Sequence, residues 1–231
     1  MRILVVAALL AGGLLASWPG TPSAVAQTSC ADLGGTVEAE QICHVHASNP
    51  TYTLDLKYPV DYPDQPTLTD YVTQNRDGFI TVAQTQGSRD LPYEMEATAE
   101  QHRSGQAPKG TRSVVLKIFQ DVGGPHPSTW YKSFNYDLAT NQSVTYDTLF
   151  APGSKPLDTI FPIVQRELVR QAGASGALIP PGNGHDPSHY QNFAITDDEL
   201  IFYFAPGELL PLNAGASTVR VPRNAIPPLT V

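Results

Sequence analysis

The sequence predicts an α+β domain built on a mainly antiparallel sheet with two helices. Three observations carry this expectation. Several segments alternate apolar with polar residues, two separated stretches show helical spacing, and strands and helices do not alternate regularly.

Tyr52, Leu54, Leu56 and Tyr58 share one face of a strand, with Thr53, Asp55 and Lys57 on the other. Asp61 to Gln65 holds turn residues, and Pro66 suits a first helical turn. Leu68, Tyr71, Val72, Asn75, Phe79, Val82 and Ala83 then recur at helical spacing, predicting a helix from Pro66 to Gln84 that carries Gly78 at a cost of about 1 kcal/mol. Tyr93, Met95 and Ala97, then Val114, Leu116 and Ile118, then Trp130 to Tyr136 read as consecutive antiparallel strands. Asp137 to Gln142 has hairpin composition, and a short return strand starts at Val144. Ile160, Phe161, Val164 and Leu168 mark a second helix over Leu157 to Gln171, regular from Pro162 onward and stopped by Gly173. Gly173 to Pro187 reads as a long loop. Phe193 and Ile195, the turn Asp197-Asp198 and Leu200 to Phe204 form a hairpin, and Val219 and Val221 mark a last strand.

Arg2 precedes an apolar run from Ile3 to Ala16, and a looser stretch ends in Ala24-Val25-Ala26. That order predicts a cleavable secretory signal over residues 1–26 and one domain over residues 27–231. At about 14 residues the run is short for a hydrocarbon core of ~30 Å, so no membrane association is expected after cleavage. The formal charge of −8, without a Lys/Arg cluster, argues against nucleic acid as a partner. Export also makes a Cys30–Cys43 disulfide the default, pinning the N-terminal arm to the first strand.

Candidate chemistry is sparse. Gly173-Ala174-Ser175-Gly176-Ala177 has the wrong spacing for a nucleophile elbow and follows a helix. Gly182 and Gly184 begin something like a dinucleotide loop, but Pro187 occupies the third glycine position. His44 and His46 share a strand face, and His185 and His189 lie one helical turn apart if Pro187 opens a short helix. The four would suit zinc if the pairs met, yet nothing in the pattern brings them together and no metal is assigned. Glu94, Glu96 and Glu100, like Asp197, Asp198 and Glu199, read as solvated carboxylates instead of a facing acid pair.

Tyr62-Pro63-Asp64-Gln65, Gly123-Gly124-Pro125-His126-Pro127, Tyr146-Asp147-Thr148-Leu149, Tyr190-Gln191-Asn192-Phe193-Ala194 and Pro206-Gly207-Glu208-Leu209-Leu210-Pro211 appear in order. With both cysteines, they make the mature chain resemble the mycobacterial secreted immunogenic antigen family called MPT or MPB sixty-four. The resemblance implies a β-grasp-like α+β fold and an immune role without turnover. Residues 128–226 also resemble a wider extracytoplasmic domain of unknown function, found in a lysozyme-sensing anti-sigma factor and beside cell-wall polysaccharide deacetylases. The shared blocks include Phe134-Asn135-Tyr136-Asp137-Leu138 and Leu200-Ile201-Phe202-Tyr203-Phe204, and Gly207 replaces the tyrosine expected there. His126 belongs to the family pattern; His44, His46, His185 and His189 do not.

These observations together lead to the expectation of a secreted, extracellular antigen-like protein that is not an enzyme and needs no cofactor. Its expected partner is a protein. The alternatives are a module binding cell-wall glycan or lysozyme and, third, a hydrolase. No catalytic residue is assigned, and the expected contact surface comprises His126, Trp130 and Tyr131, an exposed bend beside paired aromatics.

Overall fold

The computed structural model describes residues 29–85, 92–173 and 179–231. The expected signal segment lies outside the described residues. A larger sheet runs in sequential order through β1 (Thr36–Glu38), β2 (Ile42–Ser48), β3 (Tyr52–Pro59), β4 (Tyr93–Ser104), β5 (Thr111–Asp121), β6 (Ser128–Asp137) and β7 (Gln142–Ser143). A smaller one joins β8 (Phe193–Ile195), β9 (Glu199–Phe204) and β10 (Ser217–Pro222). All pairs are antiparallel except β3 with β4. The chain makes that parallel step through helix α1 (Gln65–Gln84), since a parallel neighbour requires a long crossover.

One face of the larger sheet packs on α1. Leu68, Val72, Phe79 and Ala83 of the helix meet Leu54, Leu56, Met95, Leu116 and Ile118 of the strands. Gln65 anchors the helix start, accepting from the Tyr62 N–H at 3.1 Å and donating to the Pro59 carbonyl at 3.1 Å. Gly78 sits in open space, so it carries only its propensity cost. The Cys30–Cys43 disulfide ties the first described turn to β2 beneath this core, as expected.

The other face of β4 to β6 is covered by the smaller sheet through Val115, Ala194, Ile201 and Tyr203. β8 is an edge strand, and the larger sheet satisfies its backbone. Asn135 Nδ2 donates to the Phe193 carbonyl at 2.9 Å, and the Ile195 N–H donates to Ser113 Oγ at 3.1 Å. The far side of the smaller sheet packs on α3 (Leu157–Ala172), where Ile160, Phe161, Val164 and Leu168 join Leu200, Phe202, Phe204, Val219 and Val221. The layers therefore run α1, larger sheet, smaller sheet, α3.

Three local differences from the sequence reading have physical causes. α3 runs from Leu157, not from Pro162: the proline lies inside the helix, where the apolar face packed on the smaller sheet holds the turn despite its missing backbone donor. A short helix, α2 (Tyr146–Leu149), replaces most of the expected return strand, started by the Thr145–Thr148 capping box. Within the expected Gly173 to Pro187 loop lies α4 (Pro181–Gly184), followed by a 3-10 turn, Pro187–Tyr190.

Candidate functional site

α2, the start of α3, α4 and the Pro187–Tyr190 turn converge on one side of the second core. Burying α4 against α3 needs Gly184, because the Phe161 ring lies where a β-carbon would sit. Tyr190 holds the same point from below, its hydroxyl donating to the Gly184 carbonyl at 2.8 Å. Asp186 caps the following turn, accepting from the Ser188 N–H at 2.9 Å, and that bond keeps its carboxyl below the usual range.

His185 emerges between these two fixed points. Its ring packs edge-on against Phe161, with centroids 4.8 Å apart. Nδ1 lies 2.9 Å from the Pro181 carbonyl. A carbonyl only accepts, so Nδ1 carries the proton and a neutral imidazole leaves Nε2 with a free lone pair. Asp158, in the first turn of α3, places Oδ1 3.9 Å from Nε2. That is too far for a hydrogen bond, yet close enough to stabilise an imidazolium.

His185 and Asp158 line an apolar groove of about 260 Å³ with Tyr146, Leu157 and Pro187. A second cavity of about 180 Å³ shares Tyr146, Lys155, Pro156 and Pro187 as walls and reaches Ser154. Ser154 sits in a tight turn between Gly153 at φ 82° and Lys155 at φ 47°, a left-handed conformation that is costly for lysine. Its buried Oγ and the Tyr146 hydroxyl find no hydrogen-bond partner. Burial raises the Tyr146 pKa, so that hydroxyl remains a donor.

Other polar groups have partners within the fold. Ser133 lines a cavity of about 170 Å³, but its Oγ donates to the Gln191 carbonyl and accepts from the Phe193 N–H. His102 Nε2–H donates to the buried Tyr203 hydroxyl at 2.9 Å, which donates to Glu100 at 2.7 Å. The two histidine pairs have separate partners: His44 and His46 face Asp55, His185 faces Asp158, and His189 lies 4.0 Å from Glu208. Glu94 is half-buried and Glu96 exposed, both on the face of β4 opposite Met95 and Ala97.

Of the expected contact surface, His126 is exposed in the bend before β6. Trp130 is half-buried and donates Nε1–H to the Tyr71 hydroxyl at 3.0 Å. Tyr131 turns to the opposite face and rests on Tyr203, ring centroids 5.3 Å apart. Both aromatics thus fill layers of the fold on one side and reach solvent on the other.

The family described as "Protein of unknown function (DUF3298)" matches residues 147–224, which hold Ser154, Asp158 and His185. The solved structure of a DUF3298 family protein from Pseudomonas aeruginosa shares the fold, with a TM-score of 0.51 at 11% identity over 82% of this chain and 95% of that one. The chain is 45% identical over 207 residues, 90% of each chain, to the immunogenic proteins MPB64 of Mycobacterium bovis and MPT64 of Mycobacterium tuberculosis. It belongs to their family. It is also 65% identical, over the full length of both chains, to Esterase Rv3036c of Mycobacterium tuberculosis.

That last likeness overturns the expectation that the protein is not an enzyme. The expectation rested on the absence of an elbow motif, a metal-ligand set and facing acids, and on the resemblance to antigens without known turnover. His185 was visible as a candidate, but its spacing suggested His189 as a partner. Ser154 and Asp158 gave no signal, because neither lies in a patterned context.

Proposed function

We propose that the chain is an exported carboxylic-ester hydrolase whose acyl site is the groove beside His185. The observation that carries the reading is an imidazole with Nδ1 held by the Pro181 carbonyl and Nε2 free over an apolar groove. The chain's likeness to a protein named an esterase supports it. Export is supported by the residue 1–26 pattern and by the disulfide. Among the described residues, no helix is long and apolar enough to cross a membrane.

In this reading Ser154 is the nucleophile, its Oγ being, with the Tyr146 hydroxyl, one of two hydroxyls in the adjoining cavity that lack a hydrogen-bond partner. Nε2 of His185 accepts the serine proton as Oγ attacks the ester carbonyl, then passes it to the leaving alkoxide. Asp158 stabilises the imidazolium, and Lys155, which lines both halves of the groove, faces the developing oxyanion. Water repeats the sequence to release the acid.

The test uses mature protein, p-nitrophenyl esters of graded chain length and a fluorophosphonate probe. His185→Gln and Ser154→Ala are each expected to lower kcat/KM by about a hundredfold or more with unchanged circular dichroism, and the probe adduct should map to Ser154. A fully active Ser154→Ala variant with the adduct elsewhere, or wild-type hydrolysis by His185→Gln, overturns this site.

A further inference from the structure

We infer that His44, His46 and Asp55 form a binding site for a divalent transition-metal ion of the zinc type, outside the ester groove. His44 and His46 are two residues apart on β2, so both rings project from the same face. Asp55 pairs with His46 across the β2–β3 ladder, which brings a carboxylate between the rings. Asp55 Oδ2 lies 3.2 Å from His44 Nε2 and 3.3 Å from His46 Nδ1, and the three ligating atoms all fall within 4.8 Å of one another.

The two carboxylate-to-ring separations match the edges of a coordination sphere. Ligands about 2.0 to 2.2 Å from zinc stand roughly 3.4 Å apart at the edges of a tetrahedron. Two imidazoles and one carboxylate favour zinc, copper, nickel or iron over magnesium and calcium, which prefer all-oxygen sets. Three protein ligands leave further positions for water, and His46 is open to it, with its side chain 61% exposed.

The surroundings also fit. Glu38 accepts from His44 Nδ1–H at 2.8 Å, the arrangement that fixes the tautomer and turns Nε2 toward a metal. The smaller sheet packs on β4 to β6, leaving this face of β2 and β3 uncovered. Lys57 opposes His44 in the ladder, but the carboxylates of Asp55 and Glu38 outweigh that single charge. A plain histidine–aspartate hydrogen bond would need neither the second imidazole on the same oxygen nor the carboxylate behind the first.

The experiment is calorimetric titration of tag-free mature protein with zinc chloride alone, paralleled by cobalt(II) absorption. One equivalent is expected to bind saturably at micromolar concentration, with a visible cobalt band. His46→Gln, at an exposed position, and Asp55→Asn, at a half-buried one, should each weaken binding at least tenfold, and Glu38→Gln about tenfold. His126→Gln, at an exposed histidine elsewhere, should leave it unchanged. Circular dichroism and thermal melts check each fold. Absence of saturable binding, or binding that survives both His46→Gln and Asp55→Asn in folded protein, overturns the site, and neither result bears on ester hydrolysis.

Discussion

Phe161 packs directly on the bare α-carbon of Gly184, and this contact sets the orientation of the His185 ring one residue further on. The aromatic ring belongs to α3 and the glycine to α4, so two successive helices fix one imidazole. The Pro181 carbonyl completes the fixation at Nδ1.

Gly184→Ala is therefore expected to act on both stability and turnover. The added methyl must displace Phe161 or α4, an overpacking that costs about 1 to 3 kcal/mol. His185 moves with α4, so ester hydrolysis should fall well beyond the fraction unfolded. Urea unfolding and kcat/KM measured on the same preparation check this; a loss of stability with unchanged kcat/KM would show that α4 does not position the base.

The junction between the two sheets gives a second prediction. Asn135 is 4% exposed and Ser113 1%, and each satisfies one backbone group on the β8 edge. Asn135→Ala should leave the Phe193 carbonyl buried and unpaired, at a cost of about 1 to 3 kcal/mol in urea unfolding. Ser113→Ala should do the same to the Ile195 N–H. The two substitutions act on adjacent groups of one short strand, so a double-mutant cycle should show coupling.

The strands were legible in the sequence, but their division into two sheets was not. Tyr52, Leu54, Leu56 and Tyr58 alternate because only one face of β3 is buried. β9 is buried on both faces from Leu200 to Phe204, so its pattern is a continuous apolar run that names no partner. Polar residues at Ser113 and Asn135 were the trace of the second layer, yet a lone serine or asparagine in a strand reads as an outward position. The groove was hidden for a related reason. Ser154, Asp158 and His185 come from a turn, a helix start and a helix end, and no sequence period links them.

Removing the disulfide through Cys30→Ser with Cys43→Ser should destabilise the mature protein by about 3 kcal/mol, from the loop the bridge closes in the unfolded chain. Both sulfurs are buried beside Gly35 and Val45, so the two hydroxyls would add a desolvation cost. The groove lies in the other core, so kcat/KM of the folded fraction should not change. Denaturant unfolding and ester assays below the transition separate these effects.

The last prediction concerns alkaline pH. Tyr58 is 1% exposed, and its hydroxyl finds no hydrogen-bond partner. Burial pushes its pKa from 10.0 up to about 12, with Arg76 pulling weakly the other way. In the unfolded chain the phenol ionises near 10, whereas the folded protein resists ionisation until about 12. The unfolded state therefore loses its proton first, and stability falls as pH rises. The contribution of Tyr58 is fully present below pH 10 and is lost progressively as pH rises toward 12, amounting to about 3 kcal/mol at most. Tyr62, Tyr146, Tyr190 and Tyr203 are raised by burial as well, so their effects add in the same direction. Tyr58→Phe removes one titrating group and an unsatisfied hydroxyl together. It should leave stability near pH 7 unchanged or slightly higher and flatten the decline above pH 10. Urea midpoints at pH 7, 9, 10 and 11 check the slope, and a variant curve parallel to wild type throughout would show that Tyr58 ionises as freely in the folded protein as in the unfolded one.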